Sequence, residues 1–191
     1  MDIFNLRRSV RAYTDQPVGE SVLRELLDAA VKAPTAMHLE PWAFAIVQDK
    51  AVLQRYSERA KAILRAPGGA VGWGSAGRVH SDHPAMLDDP AFNIFYDAGT
   101  LIVICRKRGG SFADADCWLA AENVMLAAAA KGLGSCCIGF ALSVLNTAAL
   151  KRELGIPAEG AAVAPIIVGY ARGANPAVPR KPPEILAWVR P

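Results

Sequence analysis

Two stretches of the chain, TLIVICRK at residues 100–107 and AVAPIIVGY at residues 162–170, are apolar at almost every position. A strand that alternates apolar and polar residues can leave one face in water, whereas an unbroken apolar run needs cover on both faces. The chain must therefore sandwich these strands between packed layers, and the rest of the sequence supplies helices to do so. Residues 20–32 carry Val22, Leu23, Leu26, Leu27, Ala30 and Val31 at helical spacing. Ala33-Pro34 ends that helix, because the residue before a proline disfavours the helical region. Residues 50–64 read as a second helix. Residues 114–131 read as a third, alanine-rich and apolar around most of its circumference, which belongs at the centre of the fold or in a subunit interface. WAFAIVQ at residues 42–48 predicts a strand, and SCCIGF at residues 135–140 a short strand or turn. Residues 143–154 predict a helix with Ser143 as its N-cap, and residues 184–189 a final helical turn. The expected class is α+β, a small sheet enclosed by helices.

Composition permits such a core: of 191 residues, 52% are hydrophobic and 20% charged. That balance excludes disorder as the main state and suits a single domain over residues 1–191. Residues 65–93, rich in glycine and proline, read as a loop, either a lid over an access route or a variable surface excursion. Residues 171–191, with Pro176, Pro179, Pro182 and Pro183, read as an extended C-terminal tail. The net charge of +3 is not the clustered excess of a nucleic-acid binder. MDIFNLRRSVRAY has no apolar core of a secretory leader, and the apolar tract at residues 117–130, broken by Glu122 and Asn123, is too short to cross a bilayer. No membrane association is expected, and a cytoplasmic, reduced protein is. The four cysteines include no CxxC pair, which argues against a zinc site or a dithiol redox motif. The histidines His38, His80 and His83 form no convincing metal set, so no metal is expected.

Four segments could carry chemistry. Arg7-Arg8-Ser9-Val10-Arg11 gathers three guanidinium groups and a hydroxyl, a donor set suited to phosphate oxygens; taken alone it reads first as a solvated basic face. In residues 33–42, APTAMHLEPW, two prolines bracket polar residues between a helix and a strand, leaving backbone groups free to meet a heterocycle edge. In residues 132–140, GLGSCCIGF, glycines permit close backbone approach to a ligand, and the vicinal Cys136 and Cys137 read as buried, inert thiols. Arg180-Lys181-Pro182-Pro183 could end the chain as a basic tail or add to the first anion site. No P-loop, GxGxxG fingerprint or GxSxG elbow is present.

Taken together and in this order, these segments resemble the nitroreductase family of FMN-dependent oxidoreductases. The resemblance runs from RRSVRAY (residues 7–13) and Pro17-Val18 through APT (33–35) and PWAF (41–44). It continues with Asp116 to Gly134, Ile138-Gly139, LGIP (154–157), APIIVGY (164–170) and Arg180. It implies an intertwined homodimer with a central mixed sheet flanked by helices and FMN at the interface. Arg7, Arg8, Ser9 and Arg180 would hold the phosphate and ribityl chain, and Arg11 would face the pyrimidine edge. Pro34, Thr35, Ala36, Met37 and His38 would approach from the partner copy. Cys137, Ile138 and Gly139 would lie along the ring, with main-chain donors near N5. The family usually carries asparagine where His38 stands and glutamine where Glu40 stands; histidine replaces an amide only in a suitable tautomer. The implied activity is hydride transfer from NADH or NADPH through the flavin to a small organic acceptor of nitroaromatic, quinone or enone type, in ping-pong order. No catalytic side chain is then required, because the cofactor carries the chemistry. The alternative is an FMN-binding carrier or redox-responsive module without turnover.

Overall fold

The computed structural model describes residues 3–66 and 85–190. Four strands form one sheet in the order β1-β2-β4-β3: β1 (Trp42–Val47), β2 (Thr100–Arg106), β3 (Gly134–Cys137) and β4 (Ala161–Gly169). All three ladders are antiparallel. The parallel pairing that a mixed sheet requires occurs as a single bridge, Ser9 to Ser135.

The apolar runs are the two central strands. Leu101, Val103, Cys105 and Ile167 face one layer, built from α3 (Lys50–Arg65), α5 (Leu142–Leu145) and α6 (Ala148–Glu153). Ile102, Ile104, Ile166 and Val168 face the other, built from α2 (Glu20–Ala30) and α4 (Ala113–Ala130), with the short α1 (Ile3–Leu6) lying against α4. Alternate residues of β2 thus enter opposite cores, as the period of two demands. α3 begins at Asp49, whose carboxylate accepts from the Ala51 and Val52 amides at 2.8 and 3.1 Å, and it buries Leu53, Tyr56, Ala60 and Leu64. α4 ends in a left-handed Gly132 (φ 71°), after which the Leu133 amide reaches back to the Ala128 carbonyl at 2.9 Å. Glycine there avoids the cost a Cβ would incur.

Proline in a central strand ordinarily removes a ladder bond. Pro165 loses little, because the Ile138 carbonyl that its missing N–H would have met accepts from the Ala141 amide at 3.1 Å, and its own carbonyl still accepts from Ile138 at 2.9 Å.

Several expectations need correction. Residues 143–154 are two short helices, not one, because Asn146 breaks the run. Its side chain donates to the Ala162 carbonyl at 3.0 Å and accepts from the Ala162 amide at 2.9 Å, tying this point of the chain to β4. Ser143 caps nothing; its hydroxyl donates to the Phe140 carbonyl at 3.0 Å, and Thr147 caps α6 instead. The helical turn at residues 184–189 does not form. So short a helix is marginal without packing, and Leu186 and Val189 there are 92% and 93% exposed. The middle of the expected lid loop, residues 67–84 with His80 and His83, lies outside the described residues. Its end is packed: Leu87, Ile94 and Phe95 are buried, and Lys61, 1% exposed, donates to the Phe92 and Asp89 carbonyls at 2.9 and 3.3 Å.

Candidate active site

The segment from Ser9 to Thr14 runs along the β3–β4 corner of the sheet. The Val10 amide donates to the Ser135 carbonyl at 3.0 Å, and Thr14 to the Tyr170 carbonyl at 2.9 Å. A return bond runs from Arg172 to the Ala12 carbonyl at 2.9 Å. Two glycines make the approach possible. A Cβ on Gly134 would stand 2.6 Å from Val10, and one on Gly169 would stand 2.8 Å from the Tyr13 ring. Gly134 therefore makes room for a side chain of the same molecule, not for a ligand as its motif suggests. With Val10 and Tyr13 buried and Tyr13 Oη donating to the Val10 carbonyl at 2.8 Å, the polar side chains of this segment turn outward.

The arginines converge there. A cavity of about 320 Å³ is lined by Arg7, Arg8, Ser9, Arg11 and Arg180, with Phe4, Asn5 and residues 175–178 closing its rim. The structure thus brings together the first and fourth sequence segments, although they lie at opposite ends of the chain. Arg8 Nη1 donates to the Asn5 and Arg7 carbonyls at 2.6 and 2.9 Å, but among the described residues its buried Nε–H has no acceptor. A buried unsatisfied donor is costly, and this one belongs to an arginine that lines the cavity. Arg7 meets Glu122 of α4 at 3.8 Å, which partly neutralises the cluster from behind.

Cys137, Ile138 and Gly139 follow directly from Ser135, the residue bridged to Ser9, and so run on from the cradle. Ile138 is buried and Gly139 starts a 3₁₀ turn, Gly139–Ala141. Burial pushes the thiol of Cys137 up to about 12 and that of Cys136 upward as well, so neither is a thiolate at neutral pH.

Pro34, Thr35, Ala36, Met37 and His38 stand elsewhere. They form an exposed turn in which Met37, His38 and Glu40 hold φ of 55°, 53° and 42°, a region that costs non-glycine residues. One anchor holds the turn: the buried Asp116 of α4 accepts from the Ala36 amide at 3.2 Å. Beneath it lies a second cavity of about 570 Å³, lined by Ala36, Met37, Leu39 and Pro41 against residues 107–113 and Asp116. It shares no lining residue with the arginine cradle. Met37, Leu39 and Phe112 are 88%, 57% and 62% exposed, an apolar rim of the sort that marks an interaction surface.

Sequence reasoning missed three contributors: Asp116 as the anchor of the turn, Phe112 on its rim, and Tyr96 beside Arg11. Asp116 carries a faint signal, one of two acids in the first turn of a largely apolar helix. Nothing in the sequence marks Tyr96. Among the described residues no cluster of three or more His, Cys, Asp or Glu could hold a metal ion, and no helix is long and apolar enough to cross a membrane.

Known proteins are similar to this chain in sequence and fold. The chain is 29% identical over 171 residues to a protein of Archaeoglobus fulgidus named putative NADH dehydrogenase/NAD(P)H nitroreductase, covering 87% of this chain and 82% of that one. It is 26% identical over 203 residues to the nitrobenzene nitroreductase of Ectopseudomonas oleovorans, covering 92% and 88%. A nitroreductase of Bacteroides fragilis, solved with bound FMN, superposes with a TM-score of 0.76 at 25% identity, covering 100% of this chain and 98% of the other. With the Nitroreductase family profile matching residues 6–170 as well, the chain belongs to the nitroreductase family.

Proposed function

We propose that this protein is an FMN-dependent oxidoreductase that passes hydride from NADH or NADPH to a small organic acceptor. The observation that carries the reading is the arginine cradle, one of whose members, Arg8, keeps a buried Nε–H without an acceptor among the described residues. The guanidinium groups of Arg7, Arg8 and Arg180 with the Ser9 hydroxyl, gathered around one small cavity, fit a phosphate dianion. When bound, FMN supplies hydride acceptance and donation at its N5.

The residues present then have distinct tasks. Arg7, Arg8, Ser9 and Arg180 hold the phosphate end. Arg11, further along the same segment, offers its charge to the pyrimidine edge, where negative charge builds up on reduction. The backbone of Cys137, Ile138 and Gly139 lies along the ring. Pro34, Thr35, Ala36, Met37 and His38, separated from the cradle within one chain, belong to the site of a second copy. The exposed Met37, Leu39 and Phe112, with Ile185, Leu186, Trp188 and Val189 of the tail, give that copy an apolar surface to cover. The homodimer is thus part of the proposal, because each site is incomplete without the partner's turn.

Relatives named as NAD(P)H and nitrobenzene nitroreductases support the donor and a nitroaromatic acceptor; quinones and enones are chemically equivalent targets. Donor and acceptor use one site in turn, in ping-pong order. Initial rates with NADH and NADPH, each varied against nitrobenzene and a quinone, test this. Parallel double-reciprocal lines are expected for the preferred donor. Oxidation no faster than with free FMN for every pair contradicts the proposal.

A further inference from the structure

Arg11 is exposed, and among the described residues neither an ion pair nor a side-chain hydrogen bond holds its guanidinium. It rests on the face of Tyr96, 5.8 Å from the ring centroid. Tyr96, by contrast, is held from several sides. Its ring meets Phe92 edge to face, with centroids 5.6 Å apart and planes at 78°. Its amide donates to the Asn93 carbonyl at 2.8 Å. Asn93 in turn accepts from the Phe95 amide at 2.8 Å and donates to Asp97 Oδ1 at 3.1 Å and Gln54 Oε1 at 2.8 Å. The Phe92 carbonyl is fixed by the buried Lys61 at 2.9 Å. Tyr96 and Asp97 both hold left-handed backbone, φ 51° and 55°. Strain of that kind persists only where surrounding structure enforces it, and here the enforced conformation presents an aromatic face to an otherwise free cation. Arg11 and Tyr96 also line one further cavity, next to the cradle that Arg11 borders on its other side.

We propose that Tyr96 is a positioning residue: its ring face holds the Arg11 guanidinium where the pyrimidine edge of the bound cofactor meets it. The inference rests on the reading of Arg11 given above. A cation held over an aromatic face by the ring quadrupole needs the ring and not the hydroxyl. Phenylalanine at position 96 therefore preserves the effect, and a residue without a ring abolishes it.

The test is the midpoint potential of FMN-loaded protein, measured by equilibration with a reference dye, for wild type, Tyr96→Phe, Tyr96→Gly, Arg11→Ala and Arg11→Ala/Tyr96→Gly. Glycine suits φ 51°, so it removes the ring without adding backbone strain. If a thermal melt shows that this variant does not fold, Tyr96→Asn takes its place in the same cycle. Tyr96→Gly is expected to weaken the preference for reduced over oxidised FMN about threefold, which lowers the potential by about 14 mV for two electrons. Tyr96→Phe keeps the wild-type value, and Tyr96→Gly changes nothing further once Arg11 is alanine. Equal shifts in the Phe and Gly variants, a Gly shift that survives without Arg11, or no Gly shift while Arg11→Ala shifts would each overturn the proposal and leave the reading of Arg11 standing. An unchanged potential in Arg11→Ala overturns that reading and the proposal with it.

Discussion

The arginine cradle and the Pro34–His38 turn are built in opposite ways. The cradle segment is pinned to the sheet by backbone bonds on both sides and seated on two glycines, with Val10 and Tyr13 as buried pegs. The turn is exposed, holds left-handed Met37 and His38 with left-handed Glu40 just after it, and has Asp116 as its anchor. Both nevertheless touch α4, the cradle through Glu122 and the turn through Asp116. Six residues along a helix is about 9 Å of rise, with the two side chains on different faces. One helix therefore supports two half-sites that do not meet within the chain. The first is pinned by the chain's own backbone bonds; the second carries strain and bare apolar surface that a partner would cover.

This contrast can be broken at specific residues. The largest effect is expected on the cradle's charge: Arg7→Ala should weaken FMN binding about tenfold to a hundredfold, the range of a lost charge-assisted bond. Flavin-fluorescence titration measures it, and the thermal melt of the FMN-free protein should move little. Next comes the seat. Gly134→Ala sets a Cβ 2.6 Å from Val10, and overpacking of this kind costs about 1–3 kcal/mol. Chemical denaturation should show that loss together with weaker FMN binding, because the arginines ride on the displaced segment. A stability loss with unchanged affinity would separate the seat from the cradle.

A third effect belongs to the rigid half and its core. Burial pushes the thiols of Cys105, Cys117 and Cys137 from 9.0 up to about 12. The folded state thus keeps protons that the unfolded chain releases. Stability from this source is fully present below pH 9 and is lost as pH rises from 9 toward 12. Urea midpoints should hold steady up to pH 9 and fall above it; a midpoint that rises over that window would contradict the burial. The smallest effect is expected in the turn. His38→Asn places at φ 53° a residue that tolerates the left-handed region better, and should raise stability by about 0.5 kcal/mol or less without touching the cradle. A loss of stability there would mean that His38 makes contacts the exposed turn does not show.

The two regions also differ in how far the sequence discloses them. Strands β2 and β4 and helix α4 are plain in it, because burial on both faces leaves an unbroken apolar run. The arginine cluster is visible as composition, but its meeting with Arg180 depends on the tail crossing the first segment, which local pattern does not encode. The break at Asn146 is hidden for the same reason: the side chain that interrupts the helix does so by bonding Ala162 in another element. Gly134 misleads, since a glycine needed for packing and one needed for a ligand look alike in sequence. Tyr96 is silent, because its meaning lies in Arg11 and in the Asn93 network that fixes its backbone.

The most direct measurement is the visible spectrum of the purified protein incubated with FMN, desalted, and then reduced anaerobically with NADH and with NADPH. A cradle of four arginines predicts about one retained flavin per chain, bleached by at least one of the two donors. A colourless protein after desalting would show that the cradle holds something other than FMN. A retained spectrum that neither donor bleaches would leave the binding site intact and contradict the oxidoreductase.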